Sequence, residues 1–304
     1  MSIKIEWGAG NTGADEVTVY RSLTPIDLSA LPAALATVPG GNTSYTDTTA
    51  ARNTVYNYVT AIKKGNDVML SQNKTYGHFP DTGPGPNTLL RGTYHTGYFG
   101  RMTAAEFFTN QEILSALMAS VTANTTAQFW HKFIVDGKIL FMPELCIGMT
   151  VPGAIYNSGL MHGTDDTGLT PYPGKSPWNT AGVNQRKTIV KSGYTYVVRL
   201  PKASTLSTDQ IVLAYDPATM PDSEWGRTMG RIFTFKYTNA TRSRWGDLVY
   251  MPSAGFGCHL AFTQHSAGGN NLFVMGDTTR PDGVSMVNYG TGSYNWRPVF
   301  ELVL

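Results

Sequence analysis

Apolar and polar residues alternate from the first positions of the chain. Ile3, Ile5 and Trp7 are separated by Lys4 and Glu6, the period of two expected of a half-buried strand, whose successive side chains leave on opposite faces. Val17-Thr-Val-Tyr-Arg-Ser22 repeats the pattern. Tyr56-Asn-Tyr-Val-Thr-Ala-Ile62 gives it most clearly and is closed by a turn at Gly65-Asn66. Helical spacing is weak over Leu28 to Val38, where Pro32 interrupts it. Residues 1–78 therefore predict a small unit built of strands.

The pattern breaks at Phe79-Pro-Asp-Thr-Gly-Pro-Gly-Pro-Asn87, which is too stiff and too poor in backbone donors for a central strand. Residues 79–93 are expected to be a linker and 94–304 a second, larger domain. That domain opens with two capping-box spacings, Thr103 to Glu106 and Thr109 to Glu112. Leu114, Leu117, Met118 and Val121 then recur at helical intervals, predicting one amphipathic helix over about 110–121. Two apolar runs around Asp136-Gly137, Phe129 to Val135 and Lys138 to Met142, predict a β-hairpin. Further strands are expected over 195–200, 211–215, 231–237, 247–251, 258–263, 272–275 and 298–304. Residues 143–190, rich in Gly, Pro, Thr and Asn, predict an extended loop region with at most short pieces of structure. The fold class expected is mainly β: a sandwich followed by a larger β-rich, sandwich-like domain with a single helix.

Composition narrows the function. At 304 residues the chain can bury a substantial core. Charged residues make up only 14% and the formal net charge is +2, which leaves no electrostatic footprint for nucleic acid. No apolar run approaches a membrane span, and the start lacks the charged-then-apolar order of a signal peptide. Cys146 and Cys258 are too few for a disulfide framework, so folding in a reducing cytoplasm is expected. The low charge fraction, with abundant Gly, Thr and aromatics, suits a surface largely covered by other subunits.

Candidate chemistry is sparse. His162 with Asp165 and Asp166 forms the densest cluster of ligating side chains, but no paired-His or Cys-x-x-Cys spacing accompanies it, so neither metal nor cofactor is expected. Cys258 and His259 are adjacent, and in a strand they point to opposite faces, which separates nucleophile from base. Asp165, Asp166, Asp222 and Glu224 are the carboxylates open to a glycosidase pair. Glu224 lies in Ser223-Glu-Trp-Gly-Arg227, where pairing with Arg227 or capping a turn is the expected role. Trp130, Trp225, Trp245 and Trp296 sit in or beside apolar segments and read as core. Trp178, with Tyr156 and Tyr172, lies in the loop-rich stretch and is a candidate for glycan or subunit contact.

Two resemblances follow from these residues. Thr43-Ser-Tyr-Thr-Asp-Thr48, Val55-Tyr-Asn-Tyr-Val-Thr-Ala-Ile62, Lys64-Gly-Asn66 and Leu70-Ser71 resemble a fibronectin type III module. The resemblance implies core positions for Tyr56, Tyr58 and Trp7. The family places a strand before the tryptophan strand, whereas only six residues precede Trp7, so an exposed edge is implied there. In the second part, Gly97-Tyr-Phe-Gly100, Trp130 to Lys138 with Asp136-Gly137, Tyr196-Val-Val-Arg-Leu200, Ser223 to Arg227 and Trp296-Arg297-Pro-Val-Phe-Glu-Leu302 resemble, in this order, structural proteins of tailed-bacteriophage virions of tail-fibre, baseplate or collar type. That resemblance implies a non-enzymatic virion component, made in the host cytoplasm, with no catalytic residues, which binds itself and other virion proteins. The alternatives in other classes are a host-glycan receptor-binding module using the 143–190 loops and a polysaccharide hydrolase.

Overall fold

The computed structural model describes residues 2–8, 13–118, 121–125, 127–167, 182–202, 223–232, 245, 258–259, 271–275, 284–288 and 293–304. Within these the chain is mainly β, in several antiparallel sheets with few and short helices. No helix among the described residues is long and apolar enough to cross a membrane. The strands expected over 211–215 and 247–251 lie outside the described residues, as do 233–237, Tyr172 and Trp178.

The first unit contains β1 (Ile3–Glu6), β2 (Glu16–Ser22), β3 (Ala34–Pro39), β4 (Ser44–Asp47), β5 (Thr54–Lys64), β6 (Asp67–Leu70) and β7 (Lys74–His78). β1 pairs with β4 alone, while β3, β2, β5 and β6 form a second sheet, with β7 on the N-terminal half of β5. The two sheets share a core of Ile3, Ile5, Trp7, Val17, Val19, Tyr58 and Tyr76, and the arrangement is a β-sandwich. The weak helical spacing before Val38 gives way to β3, because Leu35 and Val38 pack onto the sandwich core. The edge expected to be exposed on β1 is partly covered: Lys74 Nζ reaches the Glu6 carbonyl at 3.5 Å, and the Tyr76 hydroxyl bonds the Glu6 backbone. A charged side chain laid across an edge is a common way of blunting it.

A seven-stranded sheet organises the rest. Its members in chain order are β8 (Arg91–Gly92), β9 (Thr96–Thr103), β11 (Phe129–Val135), β12 (Lys138–Pro143), β14 (Thr188–Lys191), β15 (Tyr194–Arg199) and β20 (Val299–Leu302), and across the sheet they run β14-β15-β20-β12-β11-β9-β8. Between them lie α1 (Asn110–Leu117), β10 (Thr122–Ala123), β13 (Gly148–Thr150), α2 (Pro152–Asn157), α3 (Glu224–Arg227), α4 (Met229–Ile232), β16 (Cys258–His259), β17 (Asn271–Met275), β18 (Val284–Asn288) and β19 (Tyr294–Trp296). β13 joins β10 and β19 in one small sheet, and β16, β17 and β18 form another.

α1 begins where the sequence places it, with the complete Thr109/Glu112 capping box, and ends at Leu117, short of the expected 121. The Thr103/Glu106 box also forms, with Thr103 N 2.7 Å from Glu106 Oε2. It closes only a turn, because Phe107 and Phe108, directly after Glu106, are drawn into the core. The expectation of a single helix is corrected by α2, α3 and α4, and Arg231 and Ile232, expected in a strand, belong to α4. Phe107 is the centre of the core. Its ring stacks on Phe141 at 4.5 Å and meets Trp130 and Tyr196 edge-on at 4.8 and 5.1 Å, each pair worth about 0.5–1.5 kcal/mol beyond its burial.

Candidate functional site

Of the residues singled out by sequence, Asp136, Gly137 and Arg227 meet where the sandwich contacts the larger body. The Asp136-Gly137 hairpin forms as expected, with φ of +50° and +74° at its two turn residues, the left-handed values a tight two-residue connection needs. Gly137 is required twice over. Besides its φ, a Cβ there would stand 2.8 Å from Val55 Cγ1 of the sandwich. Gly77 packs from the other side, where a Cβ would meet the Phe79 ring at 2.3 Å and Gly137 Cα at 3.0 Å. Arg227 of α3 grips the Asp136 carboxylate through two bonds of 2.7 Å and reaches Thr96 Oγ1 at 2.9 Å. Asp136 N donates to His95 O, and the His95 ring donates from Nδ1 to Thr75 O at 2.6 Å. Tyr94 packs against both cores.

Residues 79–86 form a strap held down on the larger body. Phe79 and Thr82 are buried. Asp81 accepts from the Tyr194 hydroxyl at 3.0 Å and from Gly83 N at 2.9 Å. The fully buried Lys132 of β11 donates to Gly83 O at 3.0 Å and Pro84 O at 2.9 Å, with its ammonium also over the rings of Phe99 and Phe141. Burial depresses the Lys132 pKa to about 8, and Asp81 opposes this only in part.

The Ser223 to Arg227 motif departs from its expected pairing. Glu224 does not bind Arg227. It takes two bonds of 2.7 Å from Arg199 and one of 2.9 Å from Lys202 N. Arg199 also bonds Glu301 at 2.9 and 3.0 Å, and Glu301 bonds Lys138 at 2.6 Å. Burial works against ionisation of Glu224, but Arg199 outweighs it and holds the carboxyl below its ordinary value. Trp130, Trp225 and Trp296 are fully buried as expected, with Trp130 Nε1 bonded to Phe108 O at 2.8 Å. The Arg297 guanidinium is buried over the Trp225 ring. In the sandwich, Trp7 bonds Asn42 O at 2.7 Å, Tyr56 is buried, and Tyr58 bonds the buried Asp47, which Arg21 also holds at 2.7 Å.

One acid/base-like chain was not anticipated from sequence. His131, with no exposed surface, lies 3.0 Å from the Tyr98 hydroxyl through Nδ1 and 3.0 Å from Glu144 through Nε2, and Arg101 clasps Glu144 with two bonds of 2.8 Å. Burial lowers the His131 pKa against the opposing pull of Glu144, and Nε2, which faces that carboxylate, carries a proton. Both ring nitrogens are committed, which leaves no lone pair for a substrate. A signal was present. In Phe129-Trp-His-Lys-Phe-Ile-Val135 apolar residues occupy both faces of the strand, so His131 and Lys132 had to be buried and partnered.

The loop candidates fare differently. Tyr156 lies in α2 with no exposed surface, which corrects its reading as a contact residue: Ile155 and Tyr156 both join the main core. Tyr172 and Trp178 lie outside the described residues. His162 is buried with its pKa pushed down to about 4 by desolvation, and Asp165 bonds Asn184. Among the described residues no three His, Cys, Asp or Glu side chains converge as a metal site. A cleft of about 370 Å³ opens beside the N-terminus of α1, lined by Thr109, Asn110, Gln111, Asn124 and Gln128. Its deepest amides bond neighbouring chain: Gln128 pairs with both backbone groups of Leu145, and Asn110 donates to Asn124 O. Compared with protein-family models, curated proteins and solved structures, the chain matches none.

Proposed function

We propose that the chain is a non-enzymatic structural component of a tailed bacteriophage particle, an oligomeric appendage of tail, collar or baseplate type that binds itself and other virion proteins. The observation that carries this reading is how the motif charges are used. Glu224, Arg227 and Asp136, three of the ionisable side chains in two of the five virion-like motifs, all make bidentate ion pairs that lock α3 to the sheet and to the hairpin under the sandwich. Side chains so committed position protein segments; they are not poised to act on a substrate. The strap and the Gly77/Gly137 contact tie the sandwich to the larger body, which suits presentation or docking from a particle surface.

The test is mass spectrometry of purified particles together with sedimentation of the isolated chain. Presence in the particle and a discrete oligomer are expected. A chain that is monomeric at high concentration and missing from the particle would overturn the reading.

A further inference from the structure

We propose that the outer edge of β14, unpaired among the described residues, is an interaction surface that accepts an extended, acidic strand of a partner protein. β14 is the terminal strand of the seven-stranded sheet and runs antiparallel to β15, with Ile189 opposite Tyr196. The bond from Val198 N to Lys187 O, 2.9 Å, sets the phase of this ladder. Lys187, Ile189 and Lys191 face β15 with their backbone groups, so the N–H and C=O of Thr188 and Val190 point away from the sheet. Among the described residues nothing pairs with them.

Edge strands are ordinarily guarded by charged side chains, lysine above all. Here Lys191 is turned inward. Its Nζ lies 2.7 and 2.9 Å from the Glu112 carboxylate oxygens and over the Phe108 ring, so its charge is neutralised within the chain. Val190 is left 65% exposed beside unpaired backbone. Arg186 and Lys187 are both exposed, and neither makes a side-chain hydrogen bond or ion pair among the described residues. The start of the edge therefore carries positive charge that no described side chain balances.

An incoming antiparallel strand would exchange backbone bonds with Thr188 and Val190, lay an apolar side chain beside Val190, and bring carboxylates on its other face to Lys187. A second copy of β14 fits less well. Antiparallel pairing about Ile189 would bring a second Lys187 and no carboxylate to the edge, because residues 186–191 carry no acidic side chain. The surface stands on β14 alone and does not depend on the particle assignment.

The probe is the capped peptide Glu-Val-Glu-Val-Glu-Val, with Lys-Val-Lys-Val-Lys-Val as control. Both are followed by fluorescence anisotropy on the full chain and by hydrogen exchange at the amides of residues 188 and 190. The acidic peptide is expected to bind saturably and slow both amides, and the basic one to do neither. Lys187→Glu should weaken binding by about tenfold. Val190→Pro removes an outward N–H without touching a bond to β15 and should abolish binding. If that variant does not fold, Lys187→Glu decides alone. No saturable binding at millimolar peptide, equal binding of the two peptides, or indifference to both substitutions would overturn the proposal. So would a dimer of the free chain that Val190→Pro dissociates, which would assign the edge to a second copy.

Discussion

Lys132 gives the sharpest energetic test of the strap. Its ammonium is fully buried and, among the described residues, bonded to the carbonyls of Gly83 and Pro84, and its pKa falls from 10.5 to about 8 on folding. A base whose pKa is depressed by folding makes the unfolded chain the better proton binder between those two values, so stability rises with pH across that window. At 1.36 kcal/mol per unit, the full effect is about 3 kcal/mol, of which roughly 2.5 falls between pH 7 and pH 10. The neutral amine still has two hydrogens for its two carbonyls, so the strap stays bonded at high pH. Lys132→Met removes the titration and leaves both carbonyls without their donor, at about 1–3 kcal/mol each. Urea unfolding of wild type and variant at pH 7 and pH 10, followed by tryptophan fluorescence, measures the difference. The variant's deficit should grow by about 2–3 kcal/mol from pH 7 to pH 10. A deficit unchanged across that range would show that Lys132 carries no desolvation cost in the folded protein and would refute the argument.

Three other outcomes are expected. Gly137→Ala meets both a left-handed φ and the Val55 side chain, and should lower stability by about 2 kcal/mol or more; adding Val55→Ala should recover part of the loss, the steric part, and full recovery would deny the φ contribution. Glu224→Gln breaks a buried pair with Arg199 and should cost about 3–5 kcal/mol by thermal or chemical unfolding, whereas a change under 1 kcal/mol would mean the pair is solvated. Glu224 and Glu301 both have lowered pKa values, so the stability they contribute is present above the ordinary carboxyl range and lost as pH falls through the folded values; an acid titration of wild type should therefore show a steeper loss below pH 4.5 than one of the Glu224→Gln variant.

What the sequence made legible was local. The Asp136-Gly137 turn, the Thr109/Glu112 capping box and the alternation of β5 each depend on residues within a few positions of one another, and each formed. The partners of the motif charges were not legible, because register brings them together. Glu224 finds Arg199 only because β15 lies beside β20 and α3 returns to that strand. Arg227 finds Asp136 across 91 positions. Tyr156 was misplaced because Gly- and Pro-rich surroundings suggested an open loop. Pro152 instead starts the short helix α2, at a position where its missing N–H costs nothing, and that helix turns Tyr156 inward. The Phe79–Asn87 segment was correctly denied a central strand, yet its attachment through Lys132 depends on a lysine 48 and 49 residues away from the carbonyls it holds.

The central claim is that this chain is a structural subunit of a tailed-phage particle, and a cryo-EM map of intact particles encoding it tests that claim most directly. The account predicts repeated density for the sandwich joined to the larger β body, placed about a symmetry axis of the tail, collar or baseplate, with the β14 edge against a neighbouring strand. A map in which every tail, collar and baseplate density is accounted for by other chains would contradict it.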